Sequence, residues 1–181
     1  PDSATTTHPS VVVAVARAFA EAGALVTVAE SAGGPYNTAL QHLLYRVCGM
    51  EPVADIPGVT LSTDMTVRDT SLPGGKAVTS LPIIAPALDA DFVVSVAKMK
   101  THGFAYFTGA VKNLFGVVPG LSKATLHAKF PDPARFAAML VDLCERIRPG
   151  LSIVDGVVGM EGMGPSAGSP KKAGVLVASL N

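Results

Sequence analysis

The chain has 181 residues, of which 49% are apolar and 15% are charged, and this is ample material for the core of one globular domain. Its 14 Lys and Arg residues equal its 14 Asp and Glu residues, so total charge gives no argument for a nucleic-acid-binding or membrane-surface protein. The sequence shows neither an apolar run of roughly 18 residues, the length of a membrane span, nor a signal-peptide pattern. We therefore expect a cytoplasmic protein that binds no nucleic acid and no membrane. The small charged fraction also favours a homo-oligomer.

The first fifty residues alternate helix, strand and helix. After a polar lead-in over residues 1–7, expected to be frayed, apolar residues at helical spacing predict a helix from Pro9 to a stop at Gly23. The run Ala24–Ala29 has strand length and no alternation, which is typical of a strand covered on both faces in a parallel sheet. A second helix is predicted over Thr38–Val47, with an apolar stripe made of Leu40, Leu43, Leu44 and Val47.

The remainder of the chain continues this alternation. Short β-prone pieces between residues 51 and 86 predict two or three strands, and Asp91–Ala97 is the clearest core strand. A short helix is expected over Thr108–Phe115. The strongest helix begins at the Asp132–Pro133 cap and ends at Pro149, and its apolar stripe is Phe136, Met139, Leu140, Leu143, Cys144 and Ile147. Further strands are predicted at Leu151–Val154 and at Gly174–Ser179.

Together these elements predict an α/β fold, a layered sandwich with a mostly parallel central sheet and helices on both faces. We expect residues 1–181 to form one domain. A terminal apolar strand normally has further chain to cover it, so the domain is expected to be a fragment of a longer protein. Polar groups at three strand ends, Glu30 with Ser31, the Lys98–His102 stretch, and Asp155 with Glu161, would then share one rim of the sheet, where α/β proteins bind ligands.

One stretch, Lys98–Pro131, is locally basic, because it carries five lysines and two histidines and no carboxylate. Within it, Lys98 and Lys100 lie two apart on an extended chain and precede Thr101, so two ammonium groups and a hydroxyl could bind a phosphate or carboxylate. Lys112 and Asn113 lie in a small apolar helix, where a buried lysine is costly unless it is paired or faces a ligand. The alternative is that these lysines are only solvated.

Candidates for proton transfer and for metal binding lie close by. Nearby positive charge should keep His102 neutral, which suits a proton acceptor or a metal ligand, and we predict His102, Lys112 and Glu161 as catalytic. Asp155 and His127 are the candidate ligands of a divalent metal. Asp155–Gly156 could equally be a plain turn, and His8 and His42 look incidental. The backbone of Gly162 and Gly164 could cover an anionic cofactor, or their loop could be a plain connection.

Three sequence blocks, KMKTHGFAYFTGAVKNLFGVVPG, then His127, then IVDGVVGMEGMGPSAGSPKKAGVLVAS, resemble the family called domain of unknown function 362, and HPSVVVAVARAFAEAGALVTVAES extends the resemblance to the early chain. The resemblance implies a redox setting, with a ferredoxin-like iron–sulfur module or another redox partner. With only Cys48 and Cys144, this chain alone is not expected to hold an iron–sulfur cluster. A more distant likeness, to the N-terminal domain of nickel-pincer lactate racemases, concerns the fold alone.

Two functions therefore compete. In the first, an α/β domain, either an enzyme or part of one, binds a small anionic ligand that bears a phosphate or carboxylate at the carboxyl ends of its strands. In the second, a non-catalytic assembly domain presents the same basic surface to a partner protein or to a cluster-bearing module.

Overall fold

A computed structural model describes residues 2–180, and it contains six α-helices and nine strands within them. The helices are α1 (Pro9–Glu21), α2 (Thr38–Val47), α3 (Ala85–Asp89), α4 (Ala110–Asn113), α5 (Gly120–Lys129) and α6 (Pro133–Ile147). The strands are β1 (Val26–Val28), β2 (Val59–Leu61), β3 (Val67–Ser71), β4 (Ser80–Ile84), β5 (Val94–His102), β6 (Tyr106–Thr108), β7 (Leu151–Glu161), β8 (Ser169–Lys171) and β9 (Val175–Leu180). Short 3-10 helices cover Glu51–Asp55 and Leu114–Val117. The predicted α/β class is confirmed.

The largest sheet has β5 and β7 as a parallel pair at its centre. Antiparallel β6 flanks β5, while β8 and β9 pair antiparallel with different parts of the long strand β7. β1 and β2 form a separate parallel pair, and β3 and β4 an antiparallel one. The sheet is therefore mixed, with its parallel part at the centre. The unalternated run Ala24–Ala29 contains β1, which does form a parallel pair, but in the separate sheet and with Thr27 exposed.

Both central strands are longer than the sequence indicated, because each continues through polar residues. β5 runs through Lys98 and Lys100 to His102, and β7 runs through Asp155 to Glu161. The alternative interpretation of Asp155 as the start of a turn is wrong, since Asp155 pairs with Lys98 inside the parallel ladder. The basic segment thus begins within a strand and not after one.

Two hydrophobic cores hold the layers together. The larger packs α6 against the 3-10 helix Leu114–Val117, α5 and β4, and its residues include Phe136, Met139 and Leu143, each fully buried. The predicted cap of α6 is confirmed, because the side chain of Asp132 accepts the N–H of Arg135 at 2.8 Å. The smaller core packs α1 against the 3-10 helix Glu51–Asp55 and β2.

The beginning of the chain departs from expectation. From residue 2 onwards the lead-in is not frayed, because Ala4 is fully buried and the Thr7 hydroxyl donates to the carbonyl of Val96 at 3.0 Å, while Pro1 lies outside the described residues. His8 is not incidental either. Its Nδ1 accepts the N–H of Ser10 and caps α1, while its own N–H donates to the Asp155 carboxylate at 2.9 Å. This segment therefore lies on the central strands and covers part of the basic segment.

Helix α2 has the predicted bounds, but its apolar stripe is only partly on its buried side, where Leu40 and Leu44 are half-buried. Leu43 and Val47 are exposed, whereas Gln41 and Tyr45 are buried. The reason is the Tyr45 hydroxyl, which donates to the carbonyls of Val28 and Ser62 at the ends of β1 and β2. Turning Tyr45 inward to satisfy these carbonyls leaves Leu43 and Val47 on the outward side of the helix.

Candidate functional site

Lys98 and Asp155 form an ion pair inside the sheet, with Lys98 Nζ 2.6 Å from Asp155 Oδ2. The ammonium also donates to the carbonyl of Val158 at 2.9 Å, and the N–H groups of His8 and Val157 donate to the carboxylate. Burial alone would raise the pKa of Asp155, but these donors hold it below its ordinary value. The groups predicted as an anion ligand and a metal ligand are thus engaged with each other and with the backbone.

Lys100 lies in a different setting, although it is only two residues further along β5. Its ammonium donates to the carbonyl of Thr5 and keeps further N–H groups for another acceptor. Burial lowers the pKa of Lys100, nearby Glu30 opposes this, and Lys98 adds to it. Two neighbouring hydroxyls, those of Thr6 and Thr101, are buried and have no hydrogen-bond partner among residues 2–180.

The His102 imidazole, at the carboxyl end of β5, is held in one tautomer. Its Nδ1 accepts the N–H groups of Phe104 and Ala105, each at 3.1 Å, so the proton of the neutral ring is on Nε2. Burial, followed by the positive charge of Lys112, lowers the pKa of His102 to about 4. The expectation of a neutral His102 agrees with this pKa. However, the ring is a hydrogen-bond donor through Nε2–H, because the lone pair that a proton acceptor needs is already used.

Lys112 and His127 come together over an aromatic floor. The Lys112 ammonium lies 5.2 Å from the ring centroid of Phe115 and 5.7 Å from that of Phe136. The His127 ring stacks on Phe136 with centroids 4.5 Å apart. Burial, with Lys100 adding to it, lowers the pKa of Lys112 to about 8, while burial and Lys112 lower the pKa of His127.

Lys123 is a further member of this group that was missing from the predicted site. Its ammonium donates to the carbonyl of Ser31. Burial lowers its pKa to about 8, against the opposing charge of Glu30. The contact exists because Gly120, at the start of α5, lies against the backbone of residues 32–34, where a Cβ atom would come within 2.4 Å of carbonyl oxygens. Only a glycine allows α5 to approach this closely.

We call these five residues the cationic cluster: Lys100, His102, Lys112, Lys123 and His127. Each has a lowered pKa, and in every case burial is the first cause. Glu30, at the end of β1, is the one carboxylate in the described part of the chain that opposes these shifts. Glu30 and the end of β5 therefore lie near each other, although β1 and β5 belong to different sheets. The third strand end predicted for the same rim does not join them, because Asp155 and Glu161 pair with Lys98 and Lys171.

Other predicted residues lie outside the cationic cluster. Glu161 is exposed and pairs with Lys171 at 3.4 Å across β7 and β8. This position does not bring its carboxylate to the cationic cluster, where the predicted proton transfer would take place. Asn113 Nδ2 donates to the Ser95 hydroxyl at 3.2 Å, which serves the contact between α4 and β5. A set of three or more His, Cys, Asp or Glu side chains suited to a metal is not found within residues 2–180. The predicted metal role of Asp155 and His127 therefore has no geometric support.

The glycine loop after β7 packs against β5 through its backbone. Gly164 is packed so tightly that an added Cβ would lie 2.0 Å from the carbonyl oxygen of Thr101. Its N–H donates to Gly162, and its carbonyl accepts from the N–H of Gly103. The N–H predicted to bind an anion is thus used in the turn, and the loop braces the end of β5, the strand that carries His102.

The whole chain, residues 1–181, matches the family described as Domain of unknown function (DUF362). The chain belongs to the DUF362 family. Among curated proteins, this DUF362 chain is 36% identical over 180 residues to the thylakoid-associated protein sll1697 of Synechocystis sp.. The match covers 96% of the chain and 52% of that relative, so the chain spans about half of the relative's length.

The structure also answers whether a helix of this DUF362 chain could span a bilayer. Between residues 2 and 180, every helix is too short or too polar to do so.

An open groove of about 640 Å³ reaches Lys112, the member of the cationic cluster of this DUF362 chain that lines it. It runs between β6 and α6, Lys112 is part of its wall, and most of the other lining side chains are apolar. They include Tyr106, Phe107, Val111, Phe136, Leu140 and Val141. The arrangement can therefore bind a negative group at the cluster and accommodate an organic body beside it.

Proposed function

We propose that this DUF362 domain binds a small anion, bearing a phosphate or a carboxylate, in the cationic cluster. The observation that carries the proposal is the convergence of Lys100, Lys112 and Lys123 around two neutral histidines, with Glu30 as the opposing carboxylate. Buried positive charge is unfavourable unless something of opposite sign accompanies it. An anionic ligand would supply that charge.

The donors available suit an oxyanion. Lys100 and Lys123 each use one N–H on a backbone carbonyl and retain others, and the Lys112 ammonium has no hydrogen-bond or salt-bridge partner within residues 2–180. His102 adds a neutral Nε2–H, which donates without adding charge. Several donors of this kind around one ligand favour phosphate or carboxylate over a neutral molecule.

Thermal unfolding with added anions tests the proposal. Inorganic phosphate and dicarboxylates such as succinate are expected to raise the Tm by roughly 5 °C at a concentration about 100-fold above Kd. Lys100→Ala and Lys112→Ala should each remove most of this shift. Lys129→Ala is the matched control, because Lys129 is an exposed lysine on α5 outside the cluster, and its shift should equal that of the unmodified protein.

An equal Tm shift in the Lys112→Ala and Lys129→Ala proteins would contradict the proposal, because the anion would then bind elsewhere. Sodium chloride at matched ionic strength controls for general screening, which weakens exposed charge interactions without occupying a site.

The redox setting is a further part of the proposal, and its support is the family resemblance. An iron–sulfur module or another redox partner would exchange electrons, while the cationic cluster would hold the anion. A full-length family member would first be purified with its iron–sulfur cluster. A change in the cluster's reduction potential on adding phosphate would then support a coupling between anion binding and electron exchange. A potential that is the same with and without saturating phosphate would argue against it.

The second candidate is an assembly domain, and one observation favours it: the relative from Synechocystis sp. is described as thylakoid-associated. In this case the basic surface would bind a partner protein and not a small ligand. Lys112→Ala would then weaken the complex recovered with the full-length protein, while phosphate would leave the Tm unchanged. The anion-binding proposal predicts the reverse pair of results.

A further inference from the structure

Lys112 differs from the other cluster lysines in what its amine contacts. The ammonium groups of Lys100 and Lys123 are each tied to a backbone carbonyl, whereas that of Lys112 is bound by aromatic ring faces alone within residues 2–180. Ring faces replace only part of the hydration that burial removes, so the neutral amine becomes accessible near pH 8. A neutral lysine amine is a nucleophile.

The surroundings of this amine suit a carbonyl compound that is also an anion. The groove brings an organic body to Lys112. Lys100 lies near enough to lower the pKa of Lys112, and Lys112 near enough to lower that of Lys123, so the two tied lysines are the nearby cations for a carboxylate or phosphate. His102 Nε2–H is a neutral donor that could bind a carbonyl oxygen without protonating it outright. Nucleophile, anion ligands and carbonyl donor are thus gathered in one place.

We propose that Lys112 is a catalytic nucleophile that forms an imine with a small anionic carbonyl compound, an oxo acid or a phosphorylated aldehyde or ketone. This inference deepens the anion-binding function proposed above and rests on it. It names the substrate class, and it assigns Lys100 and Lys123 to the substrate's negative group and Lys112 to its carbonyl carbon.

The step balances without an oxidant or reductant. The Lys112 ammonium gives one proton to His127, the resulting amine nitrogen forms a bond to the carbonyl carbon, and the oxygen takes up that same proton from His127 to become a hydroxyl. The nitrogen then loses a second proton to this hydroxyl, the carbon–oxygen bond breaks as water departs, and a protonated imine remains. Overall, an ammonium and a carbonyl give a protonated imine and one water.

The two histidines have different parts in this step. His127 has a lowered pKa and no hydrogen bond to its ring nitrogens within the described residues, so a lone pair is available to accept the proton. His102 has its Nδ1 occupied, so it acts as the donor that polarises the carbonyl oxygen. Imine formation requires both a hydrogen-bond donor to the carbonyl oxygen and a base for the amine proton, and His102 and His127 fill these two roles.

Reductive trapping tests the inference. The protein is incubated with pyruvate, glyoxylate or glycolaldehyde phosphate in the presence of cyanoborohydride, and intact mass and peptide mapping locate the reduced adduct. We expect a single adduct on Lys112 with at least one probe, formed at least tenfold faster than on exposed lysines. Its rate should rise with pH and level off above about pH 8.

Three controls accompany the trapping. Lys112→Arg keeps the positive charge but forms no imine, so it should lose the adduct. Lys129→Arg should change neither the adduct nor the Tm shift with phosphate. In the unmodified protein, inorganic phosphate should protect Lys112 from the probes, while acetone, a neutral carbonyl compound, should label it poorly.

The outcomes separate this inference from the function on which it rests. A Tm shift with phosphate but no preferential adduct on Lys112 with any of the three probes overturns the imine proposal and leaves anion binding standing. Absence of both the Tm shift and phosphate protection overturns anion binding itself. Adducts spread evenly over the lysines, or retained elsewhere in Lys112→Arg at the same yield, also overturn the assignment.

Discussion

Lys98 and Lys112 belong to the same basic segment and are both largely removed from water, yet their surroundings are opposite. Lys98 is bound to a fully buried carboxylate and a backbone carbonyl, and its partner Asp155 is itself satisfied by two N–H groups. Lys112 lies over Phe115 and Phe136 and has other cationic residues as neighbours. The first setting completes the sheet, whereas the second leaves positive charge that a ligand can complement.

The difference shows why basic residues in one segment should not be given one role. A charge with a matched buried partner contributes to the fold, and removing one member exposes the other to the full penalty of an unpaired buried charge. A charge held near like charges lowers the stability of the empty protein and favours binding of an anion. Stability measurements can therefore distinguish the two settings without knowledge of the ligand.

The largest effect is expected from Lys98→Met. Because this change leaves the Asp155 carboxylate buried without its cation, the free energy of unfolding should fall by about 3–5 kcal/mol, as measured by urea denaturation at pH 7. Combining it with Asp155→Leu should recover part of the loss, since no charge is then left alone. Lys171→Met, in an exposed pair, is the control and should cost less than about 1 kcal/mol.

A Lys98→Met protein as stable as the unmodified one would contradict the comparison, because Lys98 would then behave like a solvated lysine.

Lys112→Met should have the opposite sign. In the absence of ligand it removes a buried charge and keeps a side chain of similar length, so the free energy of unfolding at pH 7 should increase by about 2 kcal/mol. The same substitution should abolish the Tm shift with phosphate. Lys129→Met, outside the cluster, should change neither quantity appreciably. A loss of stability in Lys112→Met would show that this lysine is a structural residue.

The pH dependence of this gain has a definite sign. Folding lowers the pKa of Lys112 from 10.5 to about 8, so between these values the unfolded chain binds more protons than the folded one, and stability rises with pH. The penalty is fully present below about pH 8 and disappears towards pH 10.5. Urea denaturation across this range should show a smaller rise for Lys112→Met than for the unmodified protein.

A smaller effect is expected at acid pH from His102. Its folded pKa of about 4 lies below the ordinary 6.5, so its contribution to stability is intact above pH 6.5 and is lost as the pH falls towards 4. His102→Asn keeps an acceptor for the N–H groups of Phe104 and Ala105 but cannot be protonated. Its unfolding midpoint in urea should therefore depend less on pH in this window.

Much of the fold was accessible from local sequence patterns. The bounds of α6 follow from its Asp132 cap and its apolar stripe, and those of α2 from its spacing alone. Local patterns failed where a partner from a distant segment determines the structure. Nothing near Asp155 in sequence says that a strand continues through it, because the group that makes this favourable, Lys98, comes from another strand.

The candidate site was predicted only in part, because some of its residues are brought together by contacts between segments that are distant in sequence. The sequence does predict Lys100, His102 and Lys112, because the first two follow a core strand and the third lies in a small apolar helix. Lys123 joins them only because Gly120 lets α5 approach the loop after β1, which is a contact between distant segments. The tautomer of His102 depends on backbone N–H groups whose positions no residue pattern reveals. The glycine in a helix's first position was the available signal for Lys123.

The smallest effect is expected from Glu161→Gln, which tests the outer limit of the site. Glu161 is exposed, and its pairing with Lys171 at 3.4 Å is of the kind that contributes little, so the free energy of unfolding should change by less than about 0.5 kcal/mol. Because Glu161 lies outside the cationic cluster, the Tm shift with phosphate and trapping at Lys112 should both be unchanged.

Glu30→Gln is the variant to compare with Glu161→Gln. It removes the carboxylate that competes with a bound anion for Lys100 and Lys123, so it should strengthen phosphate binding while Glu161→Gln does not. Equal effects of the two substitutions would place Glu161 back among the site residues.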